Sequence, residues 1–247
     1  MIHGAAASSA SGGIRGWLSV RHSLAKEAVA VVGLFAAYEA ARAAAPADSA
    51  IAVRHANDVV AAERALHLFV ERNVQHAAEH VSGVVGVLGF AYLTLHLVVT
   101  CALLLWLHRR RPSAYPFVRT TLLVASALAL VGYLLFPAAP PRLTSLGIVD
   151  TVSGHGDVDL NKGLVSSLYD PYAAMPSMHA GYAAIIGATI VREARHLALR
   201  IIGAAYPAFV VVVVVTTGNH FFLDAAAGVA AAALAAGVTG VVLRARS

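Results

Sequence analysis

The grouping best suited to chemistry is a histidine followed four residues later by a carboxylate, His220 and Asp224, at the mouth of a long apolar segment. Positions four apart share one face of a helix. The carboxylate can therefore hold one imidazole nitrogen and leave the other free to act as a nucleophile. Ionisable groups this close to hydrocarbon are costly and mark functional sites. The spacing alone also fits a polar helix end that anchors the chain among headgroups.

A second polar group, Ser177 and His179, follows Pro176 at the mouth of an earlier apolar segment. Proline suits the first turn of a helix, and a helix N-terminus offers N–H groups to an anion. Arg142, beyond another apolar segment, adds a planar cation that matches phosphate oxygens. Read singly, these residues could be a helix cap and headgroup anchors. Together they are the residue types needed to cleave a phosphate ester.

The composition indicates that these residues lie in an integral membrane protein. Of the 247 residues, 59% are hydrophobic and only 13% are charged, whereas soluble domains carry roughly 25% charged residues. The net charge of +5 comes largely from arginines at the ends of apolar segments, as in membrane proteins. No basic stripe interleaved with aromatic residues is present, so we expect no nucleic-acid partner.

The apolar segments predict an all-α, polytopic bundle of six transmembrane helices, at about 20 residues per span. Residues 1–27 are expected to form a flexible cytoplasmic tail, and residues 28–247 a single domain with its catalytic blocks within 137–224. The predicted spans are Ala28–Ala45, Val81–Leu107, Phe117–Phe136, Met178–Val191, Leu199–Thr217 and Phe221–Leu243.

The distribution of positive charge predicts the orientation of the bundle. Twelve of the 18 Lys and Arg residues fall on the side of the two termini and six on the other side. The positive-inside rule then makes both termini cytoplasmic and the polar blocks extracytoplasmic. On that outer side, residues 46–80 have helical spacing and are expected to form an additional interfacial helix. The second long outer segment, residues 137–174, is expected to be functional because it adjoins the candidate site.

The rival, non-enzymatic interpretation is a membrane protein that binds lipid without catalysis, or one that binds metal or haem through histidines of the outer segment. His76 and His80 are four residues apart, with His67 upstream, and such a pair could bind a metal or haem. No cysteine and no His-Glu-x-x-His pattern accompanies them, which favours a wetted interfacial face. His96 lies within a predicted span, where it could bond Tyr92 or line a substrate cavity.

Three short sequence blocks contain these polar residues: one ends at Arg142, one holds Ser177 and His179, and one holds His220 and Asp224. Taken together, they resemble the blocks of the type 2 phosphatidic acid phosphatase superfamily of membrane enzymes. That family carries an Arg block, a Pro-Ser-x-His block and a block ending in His-x-x-x-Asp. Here they read PAAPPR at 137–142, MPSMH at 175–179 and GNHFFLD at 218–224. The order and spacing match, and the resemblance covers the chain from about Val81 onward.

Three positions depart from the phosphatase form of these blocks. Leu135 stands where the first block has Lys, and Val213 and Val214 stand where the third block has Ser-Arg. At these positions the chain is more similar to the inositol phosphorylceramide synthase and sphingomyelin synthase branch. That branch lacks the second Arg and transfers phospho-headgroups. Candidates to replace the missing phosphate clamp are Lys162, Asn219, Thr217 and His155.

The resemblance implies a role for each site residue. His220 would attack phosphorus to form a phosphohistidine, Asp224 would orient it, and His179 would protonate the leaving group. Arg142 and Ser177, with Asn219 and Lys162 as further candidates, would bind the phosphate. No metal and no other cofactor is expected. The implied substrate is a lipid phosphate from the bilayer, with hydrolysis expected first and transfer to an alcohol such as inositol as the alternative. The oligomeric state stays open.

Overall fold

The computed structural model describes residues 48–152 and 172–245, together with Val29, Val32, Gly33 and Ala36. The chain divides into two compact units, Met1–Ala41 and Arg42–Ser247. The four described residues of the first unit are helical. The predicted tail and most of the predicted first span lie outside the described residues. The described helices from α1 onward all belong to the second unit.

Over its described residues the second unit is helical, with one isolated parallel bridge between Ala138 and Ala173. Four helices, α3, α4, α6 and α7, are long and apolar enough to cross a membrane. This confirms the prediction of an all-α membrane protein. The helices are α1 (Ser49–Ala65), α2 (Glu71–Glu79), α3 (Val84–Arg110), α4 (Tyr115–Leu135), a 3-10 turn (Pro141–Leu143), α5 (Met178–Glu193), α6 (Leu197–Thr216) and α7 (Phe222–Arg244).

Helix α5 stands where the fourth span was predicted, but it has only 16 residues, short of the ~20 that cross a bilayer. The count of six spans therefore stays a prediction. Helices α3, α4, α6 and α7 all contact α5, which makes it the central helix of the bundle.

Close helix crossings around α5 depend on small residues, as is common in membrane bundles. A Cβ added to Gly187 would lie 2.5 Å from the carbonyl oxygen of Gly203 on α6. A Cβ added to Gly181 would lie 2.8 Å from the carbonyl oxygen of Gly228 on α7. The backbones of α5 and its two neighbours therefore touch directly, and larger residues at these crossings would force the helices apart.

The described part of the segment 46–80 differs from the expected single interfacial helix. It forms two helices, α1 and α2, separated by a turn in which His67 has a positive φ of 56°. The Asp48 side chain caps α1 by accepting from the N–H groups of Ala50 and Ile51. One face of α1 is buried and packs with Phe221, just before α7. The break at His67 lets both helices pack on the bundle beside the start of α7.

The segment after α4 is held to the bundle by a side chain of α2. The Gln75 amide donates to the carbonyl oxygens of Val149 and Thr216 at 2.9 and 3.0 Å, and Gln75 Oε1 accepts from the Val149 N–H at 2.9 Å. Gln75 is buried. It therefore links α2, the loop that follows Arg142 and the end of α6.

Candidate active site

The N-termini of α5 and α7 meet, and they bring the histidines of the second and third predicted blocks together. Ser177, the N-cap of α5, donates its backbone N–H to the carbonyl oxygen of Asp224 at 2.9 Å. The ring centroids of His179 and His220 lie 5.8 Å apart, with an angle of 54° between the planes. Both imidazoles are thus close enough to reach a single phosphoryl group.

Two oxygen atoms lie beside the same nitrogen of His220. Its Nδ1 lies 2.9 Å from the carbonyl oxygen of Ala174 and 3.6 Å from Asp224 Oδ2. A carbonyl oxygen can only accept, so Nδ1 carries the proton and Nε2 keeps its lone pair. The sequence pointed to Asp224 as the orienting group. The contribution of Ala174 is a backbone contact that no residue type could have signalled.

Asp224 is completely buried, and its carboxylate lies between His220 and a backbone donor. Besides facing His220, Oδ2 accepts from the backbone N–H of Phe221 at 2.8 Å. That N–H is one of the groups that a helix start leaves unpaired. The carboxylate is therefore fixed by the helix as well as by the histidine, which limits its rotation.

His179 is enclosed on its other side by two residues of α3. Tyr92 stacks on it with ring centroids 4.5 Å apart, and His96 meets it edge-on at 4.2 Å. The His179 imidazole also hydrogen-bonds the backbone of Tyr92. His96 therefore joins a row of three imidazoles with His179 and His220. The sequence had offered it only as a buried histidine beside Tyr92 or in a cavity.

Arg142 is tied to the same region through its backbone. Its N–H donates to the carbonyl oxygen of Gly218 at 2.9 Å, two residues before His220. Gly218 has a φ of +69°, and a Cβ there would lie 2.8 Å from the Val149 carbonyl oxygen. The Arg142 side chain is fully buried, with Nε 3.3 Å from Asp150 Oδ2. A bound phosphate would share the guanidinium with that carboxylate.

The remaining phosphate-binding candidates differ in their surroundings. Ser177 is buried, and its hydroxyl oxygen accepts from the Ala180 N–H at 3.5 Å, which leaves its own hydrogen to donate. Asn219 directs its amide nitrogen to Thr217, at 3.0 Å from Oγ1. Lys162 and His155 lie outside the described residues.

The three residues that depart from the phosphatase blocks lie in different surroundings. Leu135 is 77% exposed at the end of α4, while Val213 and Val214 are buried within α6. A cation is absent from all three positions. If a second cation contacts the phosphate, it must come from elsewhere in the chain.

Two other features lie apart from this site. An open groove of about 280 Å³ adjoins the far end of α5, between Arg192, Glu193 and Phe117. His76 and His80 are exposed, with ring centroids 4.5 Å apart. Among the described residues, no group of three His, Cys, Asp or Glu side chains is arranged to hold a metal ion.

Residues 57–238 match the sequence model of the PAP2 superfamily. Because the match covers most of the chain, this protein belongs to the PAP2 superfamily, and membership indicates a phosphatase-type enzyme. Neither the curated proteins nor the solved structures give a significant match.

Proposed function

We propose that this protein is an integral-membrane enzyme that hydrolyses a lipid phosphate ester through a phosphohistidine intermediate on His220. The single observation that carries the proposal is the approach of His179 to His220, whose Nδ1 is held by Ala174 and Asp224. This arrangement supplies one imidazole with a free Nε2 and a second imidazole beside it.

In the first half-reaction, His220 Nε2 attacks phosphorus and a P–N bond forms as the bond from phosphorus to the lipid oxygen breaks. His179 donates a proton to the departing oxygen, which leaves as a neutral lipid alcohol. Charge on the equatorial oxygens is balanced by Arg142, by the Ser177 hydroxyl and by the N–H groups at the start of α5.

In the second half-reaction, neutral His179 takes a proton from water as the oxygen attacks the phosphohistidine. The P–N bond breaks, inorganic phosphate leaves, and His220 Nε2 regains its lone pair. Asp224, at 3.6 Å from Nδ1, stabilises the positive charge that the ring carries while it is phosphorylated. No step requires a metal ion.

The distribution of charge supports an extracytoplasmic site. The candidate residues cluster at the starts of α5 and α7, whereas arginines occupy the opposite helix ends, among them Arg110, Arg192 and Arg244. Arginine-rich ends face the cytoplasm. We infer cytoplasmic termini, six spans including α5 and the first-unit segment, and a substrate drawn from the bilayer.

Transfer of the phospho-headgroup to an alcohol such as inositol is the second candidate. It is favoured by the apolar residues Leu135, Val213 and Val214, which match the synthase-like form of the blocks. Hydrolysis and transfer share the first half-reaction and differ only in whether water or an alcohol attacks the phosphohistidine.

The test is phosphate release from short-chain phosphatidic acid by purified protein in detergent containing EDTA. We expect His220→Ala to abolish release, and His179→Ala to lower it by about 10²–10⁴-fold, the usual contribution of a general acid or base. His76→Ala, which removes an exposed outer histidine, is the matched control and should stay active.

Radiolabelled substrate separates the two histidine roles. With a labelled aryl phosphate, whose leaving group needs no proton, His179→Ala should accumulate an acid-labile, alkali-stable phosphoprotein because it lacks the base that activates water. His220→Ala should not. Mass spectrometry of products with and without added inositol or glycerol distinguishes hydrolysis from transfer. Normal turnover by His220→Ala would refute the mechanism, and activity that requires a divalent ion would refute the metal-free step.

A further inference from the structure

Two glutamates outside the candidate site are completely buried at its edge. Glu63 lies near the end of α1 and Glu71 begins α2, and neither has any exposed surface. Their carboxyl groups lie within reach of each other. We refer to Glu63 and Glu71 as the glutamate pair.

The glutamate pair binds the first turn of α7. Glu63 Oε1 accepts from the Leu223 N–H at 2.7 Å, and Glu71 Oε1 accepts from the Phe222 N–H at 3.2 Å. The Phe221 N–H donates to Asp224 Oδ2. Three successive N–H groups at the start of α7 are thus satisfied by three different carboxyl groups, two of them from other helices.

These carboxyl groups cannot all be ionised at low cost, because like charges buried together repel. The Oε2 atoms of Glu63 and Glu71 are buried without a donor from any other described residue. The nearby cations point elsewhere: Arg64 lies over the Phe69 ring and Arg72 lies against Gly147. From α7 the pair faces Asp224, whose charge adds to the repulsion.

A shared proton resolves this conflict. Burial and the hydrogen bond to Glu71 raise the pKa of Glu63 from 4.5 to about 9. At neutral pH Glu63 is therefore a neutral acid whose hydrogen can be shared with Glu71, which removes one of the charges that would otherwise repel each other.

We propose that the glutamate pair is a positioning device, in which one shared proton lets two outer helices hold the start of α7 and so fix His220 and Asp224. The inference rests on the proposed function. It assigns to α1 and α2 a role in turnover: they set the position of the nucleophile although neither glutamate touches the substrate.

The experiment compares Glu63→Gln, Glu63→Ala and the matched control Glu79→Gln, an exposed glutamate on α2. Glutamine reproduces the neutral acid, since its amide can accept from Leu223 and donate to Glu71. We expect Glu63→Ala to lower kcat by about 10- to 100-fold with little change in KM, as expected for displacement of a reacting group by a fraction of an ångström. Glu63→Gln should restore kcat to within about threefold of the wild type at neutral pH, because it restores both hydrogen bonds.

The pH profile separates this role from a purely structural one. Wild type and Glu79→Gln should lose kcat as Glu63 ionises near pH 9, and Glu63→Gln should lack that alkaline decline. Infrared difference spectra should show a protonated carboxyl band at pH 7 that is absent in Glu63→Gln.

The outcomes also separate the two proposals. An active wild type with no such band, or an alkaline decline that persists in Glu63→Gln, overturns the positioning role alone. A wild type that releases no phosphate from lipid phosphates overturns the proposed function, and the positioning role with it.

Discussion

The contact between Gly228 of α7 and the backbone of Ser177 allows a graded test of how precisely the two histidines must be held. A Cβ added to Gly228 would lie 2.0 Å from the Ser177 carbonyl oxygen and 2.9 Å from its carbonyl carbon. Real Cβ atoms do not come within 3.0 Å of such an oxygen. Gly228→Ala must therefore move the start of α5 away from α7 by about 1 Å.

That displacement acts on the candidate site directly. The Ser177 N–H bond to Asp224 of 2.9 Å would be broken or stretched, and His179, two residues further on, would move relative to His220. A misplacement of about 1 Å in a reacting group costs about 100-fold in rate. Overpacking of this kind also destabilises a fold by about 1–3 kcal/mol.

The assay is phosphate release from phosphatidic acid, together with thermal unfolding and size-exclusion chromatography in detergent. We expect Gly228→Ala to stay folded with kcat lowered by about 100-fold. Gly237→Ala on the same helix has nothing within 4 Å of the new Cβ. It should keep full activity and gain up to about 1 kcal/mol from helix propensity.

Gly181→Ala provides an intermediate case and guards against misfolding of the first variant. Its Cβ would lie 2.8 Å from the Gly228 carbonyl oxygen, so the required shift is only a few tenths of an ångström and the loss of kcat should be smaller. A folded Gly228→Ala protein with near-normal turnover would refute the reasoning, as would equal effects of Gly228→Ala and Gly237→Ala.

Three further predictions follow from single contacts. Asp224→Asn should lower kcat by about 100-fold and leave KM nearly unchanged. The loss of kcat should be smaller than in triads where the carboxylate alone fixes the tautomer, because the Ala174 carbonyl also holds Nδ1 of His220. A large change in KM with normal kcat would contradict the orienting role. Arg142→Lys should lower kcat/KM by about 10- to 100-fold because the planar guanidinium is lost. Vanadate, a phosphate analogue, should inhibit this variant more weakly than the wild type. Unchanged inhibition would argue against contact between Arg142 and the phosphate. Because the pKa of Glu63 rises from 4.5 to about 9 on folding, its contribution to stability is complete below pH 4.5 and is lost as pH rises through 9. The wild type should lose about 3 kcal/mol more than Glu63→Gln between pH 4.5 and 7, and parallel unfolding curves for the two proteins would exclude that shift.

Much of the helical architecture was predictable because the bilayer leaves the chain few choices. Apolar runs of about 20 residues must satisfy their own backbone, so they become helices. Four such helices, α3, α4, α6 and α7, begin and end within a few residues of the predicted spans. The short α5 was harder to interpret, since small residues such as Gly181 and Gly187 suit it to a central position that length alone does not reveal.

The buried glutamates show where the sequence analysis overlooked a signal. Ala52, Ala56, Val59 and Val60 form the buried stripe of α1, and Glu63 continues the same stripe one turn later. The helical spacing of residues 46–80 predicted a helix there, but it did not single out Glu63 as a buried residue. A carboxylate in phase with an apolar stripe indicates burial and a partner, and here the partner is Glu71.

The sequence by itself determined which groups could act, because residue type fixes chemistry: two imidazoles, a carboxylate, a hydroxyl and a guanidinium near the ends of apolar helices. Only the tertiary structure decided how they are held. The tautomer of His220 depends on the Ala174 carbonyl, and the environment of His179 depends on Tyr92 and His96. The start of α7 depends on carboxyl groups that two other helices supply. The physical reason is that these are contacts between distant parts of the chain, several of them through backbone atoms that every residue carries alike.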